Sequence, residues 1–220
     1  MMKTVPAGRA IDWFKAGWRV FSSDIATWLI LAVIYLLIMV VLMMIPIIGS
    51  TIYYLIAPTL VAGLLLAAGK SLDGGKARVE DLFAPLRNET TRNPLLMLGA
   101  ILLAANVLLA ILGVGMVGGF GMHGMNGAGL FGGLLALIAS LAIGAAFLYA
   151  PAEVVFRNTP PVDAIKASLS AVMANIPAML VFGLGYILLS IVAIIPLGLG
   201  MLVLLPVMMG ALLASYRDIF

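Results

Sequence analysis

The stretch IATWLILAVIYLLIMVVLMMI, residues 25–45, contains no charged side chain. A helix rises about 1.5 Å per residue, so roughly 20 apolar residues cross the hydrocarbon core of a bilayer. Five further uncharged stretches follow it in the chain, at residues 52–68, 95–117, 130–149, 177–195 and 199–216. The whole sequence is 64% hydrophobic and 10% charged, whereas soluble domains have about 25% charged residues. We therefore predict an all-α polytopic membrane protein with six transmembrane helices, forming a single membrane domain over residues 1–220.

The charged residues are distributed very unevenly along the chain. All 12 Lys and Arg residues and all nine Asp and Glu residues lie before the first span, after the sixth, or in the second-to-third and fourth-to-fifth connections. Successive spans alternate in direction, so these segments share one side of the membrane. Because Lys and Arg in short loops favour the cytoplasm, we predict a multi-pass protein of the bacterial inner (cytoplasmic) membrane with both termini cytoplasmic.

A threefold repeat is visible in the polar residues. Pairs of polar residues 12 positions apart precede each odd-numbered span, namely Asp12 with Asp24, Asp81 with Asn93, and Asp163 with Asn175. The even-numbered spans each contain or end near a proline, at Pro58, Pro151 and Pro206. These matches predict three hairpins in residues 9–69, 79–157 and 161–220. Every unit begins and ends on the same side, so the hairpins are expected to have parallel topology around an axis along the membrane normal.

Apolar residues at helical spacing precede the first and fifth spans. They are Ile11, Phe14, Trp18 and Phe21 in the first segment, and Val162, Ile165, Leu169 and Val172 in the other. Such a stripe with charged residues on other faces is typical of a helix lying in the membrane interface. We predict cytoplasmic interfacial helices here, and a shorter copy before the third span, where Pro85 interrupts the pattern.

The connection between the third and fourth spans is a glycine-rich outer loop, residues 113–133, which contains the only histidine. Its segment GGFGMHGMNGAG, residues 118–129, supplies Met122, His123 and Met125 as candidate metal ligands, because Cu(I) favours thioether and imidazole groups. Ordering such a loop costs about 1–2 kcal/mol per residue, and 14 methionines in an apolar chain cluster by chance. The preferred interpretation is a mobile loop at the outer interface, with a copper site as the alternative.

Enzymatic patterns are absent from the sequence. It has no cysteine and one histidine, and it lacks a nucleophile elbow, a phosphate-binding loop and a paired-histidine zinc motif. We therefore predict no catalytic residues and no cofactor. Asn106, Ser140 and Ser190 are expected to form hydrogen bonds between helices. Glu153 is expected to pair with Arg157 one helical turn later.

Two terminal segments carry a resemblance to known proteins. The opening VPAGRAIDWFKAGWRVF, residues 5–21, and the closing ASYRDIF, residues 214–220, resemble the ends of an uncharacterised family of small proteobacterial six-helix inner-membrane proteins. That resemblance implies no activity and assigns no residue a role. The triplicated hairpin is more distantly similar to the membrane domain of some glycerophosphodiester phosphodiesterases, but this chain has no catalytic domain of that type.

Two functional classes follow from these observations. The first is a non-enzymatic scaffold or accessory subunit that binds membrane lipids or another membrane protein, or forms a homo-oligomer, with no nucleic-acid partner. The second is a small-solute or copper-handling transporter that uses the Met and His residues of the outer loop. Ion-coupled carriers generally place charged residues inside their spans. The absence of such residues favours the first class.

Overall fold

The computed structural model describes residues 2–111 and 127–220, and within these ranges the chain is helical with no strand. Ten α-helices are defined there: α1 Arg9–Ser23, α2 Ile25–Met43, α3 Ile48–Leu72, α4 Ala84–Arg87, α5 Glu89–Ile111, α6 Gly127–Leu148, α7 Ala150–Arg157, α8 Pro161–Ala174, α9 Ile176–Ile194 and α10 Met201–Ile219. Six helical segments are long and apolar enough to cross a membrane, with α6 and α7 together forming one of them. For the described residues, the prediction of a helical fold with six helices long and apolar enough to span a membrane is confirmed.

Helices α3 and α10 lie at the centre of the bundle. More than half of the most apolar part of each is buried, 61% in α3 and 56% in α10, against 11% to 22% in the other four spans. Small residues face the interior, such as Ala62 and Gly63 in α3 and Gly210 and Ala211 in α10. Small side chains let helix backbones approach closely, which is how helices associate in lipid.

The helices that precede the odd-numbered spans pack against the proline-containing spans. α1 lies along α10, the 3-10 helix Val79–Phe83 lies against α3, and α8 contacts both α6 and α7. Two of these contacts are backbone against backbone. A Cβ atom at Gly17 would overlap the carbonyl oxygen of Val207, and one at Gly63 would overlap that of Leu82.

The apolar stripes of α1 and α8 lie largely on the outside of the bundle. Ile11 and Trp18 are each 56% exposed and Val162 and Leu169 are also exposed, whereas Phe21 at the end of the α1 stripe is buried. The packing faces carry mainly small residues, together with Trp13, Val20 and Phe21; the buried positions are Ala10, Trp13, Ala16, Gly17, Val20 and Phe21 in α1, and Ala164, Ser168 and Ala171 in α8. Close helix packing needs small residues, so much of each apolar stripe remains on the outside.

The segment before α5 is shorter than its two counterparts, as predicted. It consists of the 3-10 helix Val79–Phe83 and the single turn of α4. Pro85 occupies the first turn of α4, where its missing N–H group costs no hydrogen bond. Asp81 begins this region by accepting hydrogen bonds from the backbone N–H of Arg78 at 2.9 Å and from Lys70 Nζ at 2.6 Å.

The fourth span is broken where a serine of α8 enters it. Ser168 Oγ accepts a hydrogen bond from the backbone N–H of Tyr149 at 2.9 Å and donates one to the carbonyl oxygen of Ala145 at 2.7 Å. These two backbone groups would bond directly to each other in a regular helix. The inserted hydroxyl and Pro151, which cannot donate a hydrogen bond, together separate α6 from α7.

Asp24 caps the N-terminus of α2. Its side chain accepts hydrogen bonds from the backbone N–H of Thr27 at 3.1 Å and from the Thr27 hydroxyl at 2.8 Å. These hydrogen bonds, the backbone one foremost, hold the pKa of Asp24 below its usual value. The carboxylate therefore stabilises the fold above the ordinary aspartate pKa, and this contribution is lost as the pH falls through the lowered value.

We expect Asp24→Ala to lower the free energy of unfolding by about 1 kcal/mol, because a helix start loses its capping acceptor. Asp24→Asn should keep most of that stability, since an asparagine side chain caps comparably well. Thermal unfolding of the two variants in a mild detergent at neutral pH measures the difference. Equal losses in both variants would show that the charge, and not the cap, matters.

Candidate functional site

The predicted metal ligands Met122, His123 and Met125 lie outside the described residues, so the copper site remains a prediction. Within residues 2–111 and 127–220, no group of three or more His, Cys, Asp or Glu side chains is placed to hold a metal ion. The polar side chains that the structure does bring together lie around the C-terminal segment ASYRDIF, residues 214–220. We call this segment the C-terminal clasp.

Asp218 of the C-terminal clasp connects the end of α10 to the start of α1. It accepts hydrogen bonds from Arg9 Nη2 at 2.7 and 2.8 Å, and from Trp13 Nε1 at 2.7 Å. Trp13 is only 1% exposed, so its indole nitrogen needs a partner inside the fold. The two terminal segments that stand out in the sequence therefore bind each other directly.

The first residues of the chain are held by the same end of the bundle. The backbone N–H of Lys3 donates to the carbonyl oxygen of Ile219 at 2.8 Å. Asn175, buried just before α9, accepts a hydrogen bond from the backbone N–H of Val5 at 2.8 Å and donates to the carbonyl oxygen of Lys3 at 3.1 Å. Lys3 and Val5 thus connect the start of α9 to the end of α10.

Glu153 is the buried acid of this region, with a side chain only 4% exposed. Tyr216 of the C-terminal clasp donates its hydroxyl to Oε1 at 2.9 Å, and Thr159 donates its hydroxyl to Oε2 at 2.9 Å. Arg157 Nη1 lies 3.3 Å from Oε1 and forms the salt bridge that the sequence predicts. Both carboxylate oxygens therefore have hydrogen-bond donors, as a buried charge requires.

Aromatic rings surround this carboxylate. Tyr216 lies 4.9 Å from Phe220 and 6.0 Å from Phe156, measured between ring centroids. The Arg157 guanidinium is positioned over the Phe220 ring, 5.8 Å from its centroid, where a cation is attracted by the ring electrons. The Tyr149 ring lies 5.8 Å from that of Phe220, and its hydroxyl lies 3.0 Å from Ser215 Oγ.

Further ion pairs lie at this end of the bundle. Arg217 binds Asp73 with two hydrogen bonds, at 2.7 and 3.0 Å. These hydrogen bonds hold the pKa of Asp73 below its usual value. The pair is exposed on both sides, so it contributes at most about 1 kcal/mol to stability. Its position nevertheless joins the end of α10 to the end of α3.

This arrangement supports a structural role for Glu153. A general acid or base must lie within hydrogen-bond reach of the substrate group with which it exchanges a proton. Here Tyr216, Thr159 and Arg157 occupy both oxygens of the carboxylate. The cluster instead joins α7 to α10 and fixes the C-terminus within the bundle.

The predicted hydrogen bonds between spans take a different form. Asn106 Nδ2 donates to the carbonyl oxygen of Leu102 at 2.9 Å, which lies one turn earlier in the same helix. The hydroxyl of Ser190 is buried and has no hydrogen-bond partner among the described residues. Among the residues that the structure describes, Asn106 therefore bonds within its own helix and not, as expected, across helices.

An open groove of about 1050 Å³ runs along α1, and we call it the α1 groove. Its lining combines large apolar side chains, including Phe14, Trp18 and Leu189, with four basic and two acidic residues. The groove therefore has both an apolar wall and a charged rim.

The sequence identified Glu153 and its salt bridge but missed the roles of Tyr216 and Asp218. The usable signal was the terminal ASYRDIF segment, in which five of seven side chains are polar or aromatic within a largely apolar chain. No family model matches this chain, and no curated protein or solved structure is significantly similar to it.

Proposed function

We propose that this chain is a non-enzymatic scaffold or accessory subunit of the bacterial inner membrane, which binds membrane lipid or another membrane protein. The observation that carries the proposal is the separation of polar and apolar surfaces. Many of the side-chain hydrogen bonds between different helices involve the C-terminal clasp and its partners, where they hold helices together. The peripheral spans α2, α6 and α9 expose mostly Leu, Ile and Val. Such surfaces fit lipid or another membrane protein.

The same proposal places both termini and all charged segments in the cytoplasm, with three hairpins of parallel topology in residues 9–69, 79–157 and 161–220. The packing of each segment that precedes an odd-numbered span supports it. The residue after each repeated aspartate is buried, at Trp13, Leu82 and Ala164. Each of these segments contacts the proline-containing span of the preceding unit, and α1 of the first unit contacts α10 of the last. The three units thus contact one another in a closed cycle, as expected for units related by a rotation axis along the membrane normal.

The outer turns of the first and third hairpins provide independent support for the repeat. In both, the residue directly after a proline has a positive φ angle, 63° at Ile47 and 55° at Leu197. Bulky side chains rarely adopt this conformation, because it costs about 1–2 kcal/mol. The same uncommon geometry at matching positions favours a common structural unit over chance similarity.

Photocrosslinking in native membranes tests the scaffold function. A photoreactive residue at Ile11 or Leu169, on the exposed apolar stripes, is expected to give one dominant adduct with a protein or a lipid. The matched control is Glu80, which is exposed and belongs to the corresponding segment of the middle unit; it should give no dominant adduct. The proposal fails if neither stripe forms an adduct while uptake of a solute depends on the chain.

A further inference from the structure

The α1 groove contains more basic than acidic side chains. Its four basic residues are Arg9, Lys15, Arg19 and Arg217, and its two acidic residues are Asp12 and Asp218, which gives a net charge of +2. Anionic groups are therefore attracted to it. Its volume of about 1050 Å³ slightly exceeds the range of roughly 300–1,000 Å³ typical of small-molecule pockets.

Three of the four basic residues already have carboxylate partners. Arg9 binds Asp218 at 2.7 Å, Arg217 binds Asp73 at 2.7 Å, and Lys15 lies 3.3 Å from Asp12. Arg19 has no ion-pair partner among the described residues and is exposed. It is the guanidinium best placed to receive an external anion.

The apolar wall of the groove begins beside this arginine. Trp18 precedes Arg19 and is 56% exposed, although its two fellow tryptophans, Trp13 and Trp28, are almost completely buried. Phe14 lies one turn before Trp18, and Leu189 belongs to α9. A cationic side chain next to exposed tryptophan and aliphatic surface matches the two halves of a phospholipid, a charged headgroup and an acyl chain.

We propose that the α1 groove binds an anionic phospholipid of the cytoplasmic leaflet. Arg19 contacts the phosphate, and the acyl chain lies against Phe14, Trp18 and Leu189. This inference rests on the proposed function, since it names the lipid class that the scaffold would bind. A single basic residue near an anionic surface strengthens attraction about five-fold, so Arg19 provides selectivity for charge, and Trp18 provides contact.

The three tryptophans make this binding measurable. Bromine atoms on an acyl chain quench the fluorescence of tryptophans that the chain touches, and only Trp18 of the three is exposed. The full-length protein is reconstituted in phosphatidylcholine vesicles with a small fraction of brominated phosphatidylglycerol or of brominated phosphatidylcholine with the same chains. We expect phosphatidylglycerol to quench Trp18 at an about five-fold lower fraction, and Trp18→Phe to remove this quenching.

Substitution of a second arginine provides the control for loss of charge. Arg19→Gln should abolish the preference for phosphatidylglycerol, whereas Arg87→Gln, which removes the same charge from another exposed position, should preserve it. The lipid inference is overturned if both lipids quench equally in the unaltered protein, or if the two variants behave alike. If neither lipid quenches Trp18, α1 does not contact lipid, and the proposed placement of α1 in the membrane interface fails with the lipid inference.

Discussion

Glu153→Leu is expected to lower the free energy of unfolding by about 3 kcal/mol. The substitution removes the acceptor for three donors, and hydrogen bonds to a charged group are worth about 1.5–3 kcal/mol each before non-additivity is considered. Tyr216 then retains a buried hydroxyl without an acceptor. The Arg157 side chain is 48% exposed, so water can solvate it, and the loss stays below the upper end for a broken buried ion pair.

Controls for this variant separate the carboxylate from the general effect of removing an acid. Glu80→Leu, at an exposed position, should change stability by less than about 0.5 kcal/mol. Tyr216→Phe should cost less than Glu153→Leu, and the double variant should cost less than the sum of the two, because they share one interaction. Unfolding in mild detergent measures all four. If Glu153→Leu matches Glu80→Leu, the C-terminal clasp does not hold the bundle together.

The second large effect is expected at two glycines. Gly17→Ala and Gly63→Ala each place a methyl group onto the backbone carbonyl of a neighbouring segment, that of Val207 and that of Leu82. Backbone atoms cannot rotate away as a side chain does, so the segments must separate. We expect a loss of about 2–3 kcal/mol for each variant, the usual cost of overpacking.

Gly144 and Gly183 offer matched controls, since a Cβ atom at either position meets nothing within 4 Å. Both lie inside helices long and apolar enough to span a membrane, and in a helix alanine is intrinsically favoured over glycine by about 1 kcal/mol. Gly144→Ala and Gly183→Ala should therefore leave stability unchanged or raised. Similar losses in all four alanine variants would contradict the close packing of α1 on α10 and of the 3-10 helix on α3.

The sequence predicts the spans well because their signal is local. A run of apolar residues such as 25–45 is sufficient to indicate a membrane-spanning helix, and the corresponding helix α2 begins at Ile25. The shortening before α5 was also predictable, because Pro85 acts on its own backbone. The Glu153–Arg157 salt bridge follows from a separation of one helical turn.

The remaining features depend on which elements meet in space. Ser168 enters the fourth span, and a hydroxyl in a helix gives no sequence signal that it will bond to another helix rather than to its own. The packing face of α1 could not be predicted, because large apolar residues such as Trp18 dominate a periodicity pattern. Close approach instead selects Gly17, which the pattern does not register. The sequence offers Asp218 several basic residues as partners, and only the fold selects Arg9 and Trp13.

The sidedness of the chain is the claim on which the proposed function most depends. The protein has no cysteine, so single cysteines can be introduced without competing labelling. Suitable positions are Lys76, in an exposed charged segment, and Leu197, which is 97% exposed in the turn between α9 and α10. The reagent is a maleimide that cannot cross membranes, applied to spheroplasts before and after permeabilisation.

We expect Leu197→Cys to react in intact spheroplasts, and Lys76→Cys to react only after the membrane is opened. Charged segments on the cytoplasmic side and an uncharged outer turn require this pattern. Reaction of Lys76→Cys in intact spheroplasts would contradict the orientation, and with it the placement of the α1 groove in the cytoplasmic leaflet.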